Sequence, residues 1–135
     1  MKLPSPSRHA LPLPQFISRG ASALTASDIE HFPRQASRIR KKLREIGTSG
    51  HEALCREGTA LLEYALAASR GEANPLKPRA MFDCVFALNY LLKGVDAIPD
   101  SVPEIGLEDD RIIVHHVFQT HQSTLDSFRS GQPAR

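Results

Sequence analysis

Six carboxylate side chains lie within one short segment of the sequence, and they are Asp96, Asp100, Glu104, Glu108, Asp109 and Asp110. Crowded carboxylates repel one another, and their pKa values rise unless a positive charge compensates them. Mg²⁺ and Ca²⁺ prefer oxygen ligands and supply such a charge. One hypothesis is therefore a divalent-cation site, with His115 as a further ligand and four aspartates at its centre: Asp96, Asp100, Asp109 and Asp110.

The same acidic segment also has a purely structural interpretation. Asp109 and Asp110 fall in the first turn of a predicted helix, where the helix dipole favours negative charge. Asp100 can cap a turn, and Asp96 can accept hydrogen bonds from loop amides. The spacing differs from that of an EF-hand, which needs acids at alternating positions and a closing glutamate. We expect the structural role and no cofactor, and Mg²⁺ or Ca²⁺ binding remains the alternative.

A basic face is predicted on the first long helix. Apolar residues recur there at spacings of three and four, at Phe32, Ala36, Ile39, Leu43 and Ile46. The opposite side, called the basic face below, consists of Arg38, Arg40, Lys41, Lys42 and Arg44. Such a face can meet phosphates, lie on an anionic membrane, neutralise the acidic segment within the fold, or simply be solvated. The pI of about 8.7 is below the range typical of nucleic-acid modules.

Signatures of nucleophilic catalysis are missing from the sequence. It contains no GxSxG, no P-loop and no GxGxxG. Cys55 and Cys84 form no CxxC pair, and we expect two free, buried thiols. Among the histidines of the last helix, His121 falls in the apolar stripe and is predicted to be a core residue, while His115 and His116 are expected to be partly exposed. No catalytic residue can be named, and an enzyme is not the favoured interpretation.

The apolar periodicity predicts an all-α fold. Helices are expected over residues 33–46, 51–69, 77–93 and 107–128, with a capping box formed by Ser27 and Glu30 before the first. These helices predict a compact bundle of about four helices, with an acidic hairpin containing proline and glycine between the last two. We expect a disordered or loosely packed proline-rich arm over 1–26, a helical domain over 27–130, and a frayed tail over 131–135.

Residues 86–113 read FALNYLLKGVDAIPDSVPEIGLEDDRII. This segment resembles the YkvA-like family of small bacterial domains of unknown function. The matching positions are Tyr90, Asp96, Ile98-Pro99-Asp100, Pro103, Gly106 and Asp109-Asp110. The chain departs from the family pattern at Lys93-Gly94, where Ser-Pro is usual, and is more polar at Ser101, Glu104, Glu108 and Arg111. The resemblance implies a helical fold and supplies neither an activity nor catalytic residues.

Charge is distributed unevenly along the 135 residues. Residues 1–51 contain nine Lys and Arg against three Asp and Glu, whereas residues 52–135 contain eight against twelve. No segment is long and apolar enough to span a bilayer, and we expect a cytoplasmic protein. The favoured hypothesis is a small non-enzymatic interaction or regulatory module whose partner is another protein. Two alternatives stay open: a metal-binding domain or metal-dependent enzyme centred on the acidic hairpin, and a nucleic-acid or membrane-surface binder acting through the basic face.

Overall fold

A computed structural model describes residues 12–74, 76–97 and 103–130 of the chain, with side chains except at 93–97 and 103–109. The helices are α1 (Leu13–Ser22), α2 (Ala26–His31), α3 (Ala36–Thr48), α4 (Glu52–Ser69), α5 (Pro78–Ala97), α6 (Pro103–Thr120) and α7 (Gln122–Arg129). A 3-10 turn, Phe32–Gln35, joins α2 to α3. These ranges contain no strand, so the predicted all-α class is confirmed. The prediction of about four helices is coarser than the structure.

The centre of the bundle is formed by α4 and α5. Helix α4 packs against α3 on one side and against α5 and α6 on the others, and α5 packs mainly against α4, α6 and α1. Leu61, Leu62 and Tyr64 of α4 are fully buried, as are Leu88 and Leu91 of α5. Burial of so much apolar surface on both helices explains why their sequences are apolar on more than one face.

The chain enters α3 through a continuous helical path. The capping box is formed by Thr25 and Asp28, because the Thr25 amide donates to the Asp28 carboxylate at 2.8 Å and the Asp28 amide donates to the Thr25 hydroxyl at 3.1 Å. The prediction of a box at Ser27 and Glu30 was therefore wrong by two residues. Proline is tolerated early in a helical turn, and Pro33 begins no new helix but lies in the 3-10 turn between α2 and α3.

The second half of the predicted proline-rich arm is helical. Helix α1 buries Ile17 and Ala21 against the bundle, and Phe16 makes edge-on contacts with Phe86 and Tyr90 at centroid distances of 5.9 and 6.1 Å. Here the prediction of disorder or loose packing was wrong, because Pro12 and Pro14 flank the helix start, where a missing amide hydrogen costs nothing. Residues 1–11 and 131–135 lie outside the described ranges.

The boundaries of α5 and α6 differ from those predicted. Helix α5 continues past Gly94 to Ala97, and α6 begins at Pro103, four residues before the predicted start. A glycine inside a helix costs only about 1 kcal/mol, and proline is favoured at the first helical position. Asp109 and Asp110 are therefore the seventh and eighth residues of α6 and do not occupy its first turn. No helix within the described ranges combines the length and the hydropathy needed to cross a bilayer.

Candidate functional site

The predicted cation site is only partly covered by the described residues. Asp96 lies on α5 and Asp109 on α6, at positions where side chains are not described, and Asp100 lies outside the described ranges. The Asp110 side chain is described and is buried, with the residue 1% exposed. Among the described residues, no group of three or more His, Cys, Asp or Glu side chains is arranged to hold a metal. A site made of these four aspartates stays a prediction.

A buried ionic cluster that the sequence did not predict lies near the start of α5. Asp83 accepts hydrogen bonds from the His121 imidazole Nε2 at 2.7 Å and from the Arg79 Nε at 3.2 Å. The side chains of Asp83 and His121 are 4% and 12% exposed. The pairing of Arg79 with Asp83 is visible in the sequence as an i, i+4 spacing. The pairing with His121 is not, because 38 residues separate it from Asp83.

The cluster has a structural role. His121 stands between α6 and α7, so its bond to Asp83 joins that junction to the second turn of α5. The neighbouring thiol of Cys84 is fully buried. Burial raises the pKa of that thiol, and the negative charge of Asp83 raises it further. Because the thiolate is the nucleophilic form, Cys84 is held in its unreactive form.

His115 makes a second cross-helix contact. Its Nδ1 lies 2.9 Å from a carboxylate oxygen of Glu57 on α4. The His115 side chain is 47% exposed, and ion pairs in such positions contribute little stability. The hypothesis that His115 joins the acidic segment stays a prediction, and the observed contact of its Nδ1 is with α4. Among the predicted histidines, His115 is exposed and His116 half-buried, as expected.

The basic face lies on the outer side of α3. Lys42 is half-buried and the other four cations are exposed, whereas the apolar residues Ile39, Leu43 and Ile46 are at most 3% exposed. Within the described part of the chain, none of the five cations lies within ion-pair distance of a carboxylate. No contact among those residues therefore supports the prediction that the acidic segment neutralises this face.

A groove runs along the surface between α3 and α4, beside the basic face. It consists of two adjoining depressions that share Cys55 and Thr59. The smaller, about 130 Å³, is lined in addition by Arg40, Leu43, Arg44 and Leu62. The larger, about 530 Å³, is lined by Gly47, Glu52, Arg56, Ala60, Glu63 and Arg129. Both cysteines are free and Cys84 is buried as predicted, but Cys55 is only half-buried, because it faces this groove.

Comparisons with known proteins identified no relative of this chain. No protein-family model matches the chain, and neither the curated proteins nor the solved structures gave a match. The resemblance to the YkvA-like family stays a prediction that rests on residues 86–113.

Proposed function

We propose that the protein is a non-enzymatic interaction module that binds an acidic protein partner through the basic face of α3. The observation that carries the proposal is the set of five cations with no ion pair in the described part of the chain. Arg38 and Lys42 are four residues apart, as are Arg40 and Arg44. Like charges at this spacing destabilise a helix by a few tenths of a kcal/mol per pair. The arrangement weakens the isolated fold, and carboxylates of a partner would remove that repulsion.

A protein partner is favoured over a membrane because the basic face offers no apolar side chain to insert. Helices that lie on membranes place large apolar residues next to their cations. On α3 those residues are turned into the core. The exposed large apolar side chains of the described residues, Leu76 and Ile112, belong to other segments.

A protein partner is also favoured over single-stranded nucleic acid. Proteins that bind single strands without sequence preference stack bases on exposed aromatic rings. All eight aromatic side chains of this chain lie in the core or pack against it: Phe16, Phe32, Tyr64, Phe82, Phe86, Tyr90, Phe118 and Phe128. The basic face therefore supplies charge without a stacking surface.

Charge reversal on the basic face tests the proposal. The triple variant Arg38→Glu, Lys41→Glu, Arg44→Glu is compared with a control of equal net charge, Arg19→Glu, Arg70→Glu, Lys77→Glu. The probes are fluorescein-labelled polyglutamate, a single-stranded oligonucleotide and phosphatidylserine vesicles. We expect polyglutamate to bind the wild type and the control, and to bind the triple variant at least about tenfold more weakly, as for several lost charge contacts.

Three outcomes would contradict the proposal. Equal polyglutamate binding by the triple variant and the control would mean that the basic face is not the binding surface. Failure of the wild type to bind polyglutamate at low salt would overturn the proposal that the partner is acidic. Preferential binding of the oligonucleotide or of the vesicles would replace the protein partner by a nucleic acid or a membrane surface.

A further inference from the structure

We infer that the groove between α3 and α4 receives an acidic segment of the protein partner, with its carboxylates on Arg40 and Arg44 and one aliphatic side chain seated over Cys55. This inference rests on the proposed function, because it names the part of the partner that the basic face recruits. It also extends the binding surface beyond α3, since the groove includes residues of α4 and α7.

The smaller depression combines an apolar floor with a cationic rim. Leu43 and Leu62 are buried beneath it, Cys55 is half-buried, and Arg40 and Arg44 are exposed beside it. Its volume of about 130 Å³ suits a single aliphatic side chain. Peptide grooves commonly take one apolar anchor and use flanking charges to set orientation.

The charges along the groove favour a polypeptide over a polyanion. Carboxylates are missing from the lining of the smaller depression, whereas Glu52 and Glu63 accompany Arg56 and Arg129 in the larger one. A uniformly charged phosphate backbone following the groove would meet those two glutamates and be repelled. A peptide that is acidic at one end and mixed in charge at the other would be complementary to both parts.

Gly47, which lines the larger depression, lies next to Cys55, which lines both. A Cβ added at Gly47 would lie 3.0 Å from the Cys55 sulfur, tighter than an ordinary van der Waals contact. A side chain at position 47 would therefore crowd the Cys55 thiol.

The two cysteines supply a direct assay of occupancy. Cys55 is half-buried in the groove, whereas Cys84 is fully buried and its pKa is raised, so thiol reagents should report on Cys55. The probe is a short fluorescein-labelled peptide with glutamates on one side of a central leucine and alternating lysines and glutamates on the other. Control peptides carry a central serine, or glutamines in place of the glutamates. We expect the leucine peptide to slow modification of Cys55 by a disulfide reagent at least about tenfold at saturation, and Cys55→Ser to abolish the signal.

Blocking the groove provides the second arm. Benzyl methanethiosulfonate attaches a benzylthio group to Cys55 through a disulfide, which dithiothreitol removes, so one preparation is tested with the groove filled and then open. We expect the adduct to weaken binding of the leucine peptide by about tenfold or more, as for loss of one buried aliphatic side chain, and the reductant to restore it. Circular dichroism before and after labelling confirms that the fold is intact.

The outcomes separate this inference from the proposed function. In one outcome, polyglutamate binding still depends on the basic face, while the leucine peptide fails to protect Cys55 and the Cys55 adduct leaves peptide binding unchanged. That result overturns the groove as the binding site and leaves the acidic partner standing. Equal binding of the serine and leucine peptides overturns the apolar anchor. Protection of Cys55 by the oligonucleotide as strong as that by the peptide overturns the polypeptide assignment. Failure of polyglutamate to bind overturns both proposals.

Discussion

At the scale of single residues, the buried pair of Asp83 and His121 links three helices. A carboxylate that is 4% exposed has lost most of its hydration, and this loss is offset only while its partners stay in place. Arg79 supplies one partner, but its own side chain is 65% exposed. His121 supplies the less exposed partner and, through its position before α7, fixes where α6 ends.

Removing His121 should therefore cost more than removing an exposed histidine. We expect His121→Ala to lower the free energy of unfolding by about 3 kcal/mol, because Asp83 stays buried without its closest partner. The matched control, His115→Ala, removes the other histidine–carboxylate pair and should cost less than about 1 kcal/mol. Urea unfolding of Asp83→Ala, His121→Ala and the double variant measures the coupling between the two residues, and His115→Ala is unfolded beside them as the control. Strictly additive losses would contradict a direct interaction.

Alkaline pH should weaken the fold through two buried acids. Burial raises the pKa of the Cys84 thiol from 9.0, with a further contribution from Asp83. Burial also raises the pKa of the Tyr64 hydroxyl from 10.0, against the opposing hydrogen bond donated by the Lys77 amide. At pH values below these ordinary pKa values both groups are protonated in the folded and unfolded chains, so neither group lowers the free energy of unfolding. Above them the unfolded chain ionises first, and stability falls until the folded chain ionises too, by up to about 1.4 kcal/mol per pH unit for Cys84 and by less for Tyr64.

The variants Cys84→Ala and Tyr64→Phe separate the two contributions. We expect Cys84→Ala to flatten the decline that begins near pH 9.0, and Tyr64→Phe to flatten the part that begins near pH 10.0. The measurement is the slope of unfolding free energy against pH, which does not depend on the cost of either cavity. An unchanged slope in both variants would show that other groups govern alkaline stability.

At the scale of elements, the docking of α1 on α5 depends on a glycine. A Cβ at Gly20 would overlap the Phe86 ring, which also contacts Phe16 and Tyr90. We expect Gly20→Ala to lower stability by about 1–3 kcal/mol, although alanine is the better helix former. Ser22→Ala, at an exposed position of the same helix, should be neutral or slightly stabilising. Thermal unfolding compares them, and a stabilised Gly20→Ala would mean that α1 is not held by this contact.

The elements predicted best from the sequence are those whose apolar spacing is regular. The structure has α4 over Glu52–Ser69, within one residue of the prediction, because Leu54, Leu61 and Leu62 define one buried face. Elements marked by proline and glycine were predicted worst, since α1 begins at prolines and α5 passes through Gly94. Prolines at the start of a helix cost nothing, and a glycine inside a helix costs only about 1 kcal/mol, so neither residue type marks a helix boundary reliably.

The functional residues were predictable only where local spacing determines them. The basic face follows from helical periodicity, and its exposed side is where the sequence places it. The Asp83–His121 pair was missed because its two residues are 38 positions apart in the chain, and the groove was missed because periodicity does not show how the surfaces of neighbouring helices fit together. Periodicity identifies which face of a helix is buried, but it does not identify the helix that covers that face.

At the scale of the whole molecule, the proposed association depends on how charge is distributed over the chain. The chain carries a net charge of only +2, yet a large share of its cations is gathered on α3. Glu45 is the one carboxylate of that helix, and the described structure shows no ion pair between it and the basic face. A cationic surface of this kind raises the association rate with an acidic partner and makes it salt-dependent.

Neutralising part of the basic face should therefore separate stability from binding. We expect Arg38→Gln, Arg44→Gln to raise the free energy of unfolding by a few tenths of a kcal/mol at low salt, because both like-charge pairs spaced four residues apart disappear. The gain should vanish at high salt, where screening already weakens the repulsion. Urea unfolding at two salt concentrations measures this, with Arg19→Gln, Lys77→Gln as the control of equal charge. A loss of stability of more than about 1 kcal/mol would show that these arginines serve the fold, since surface changes of this kind are otherwise nearly neutral. A gain in stability combined with weaker polyglutamate binding is the result expected of a surface that serves association.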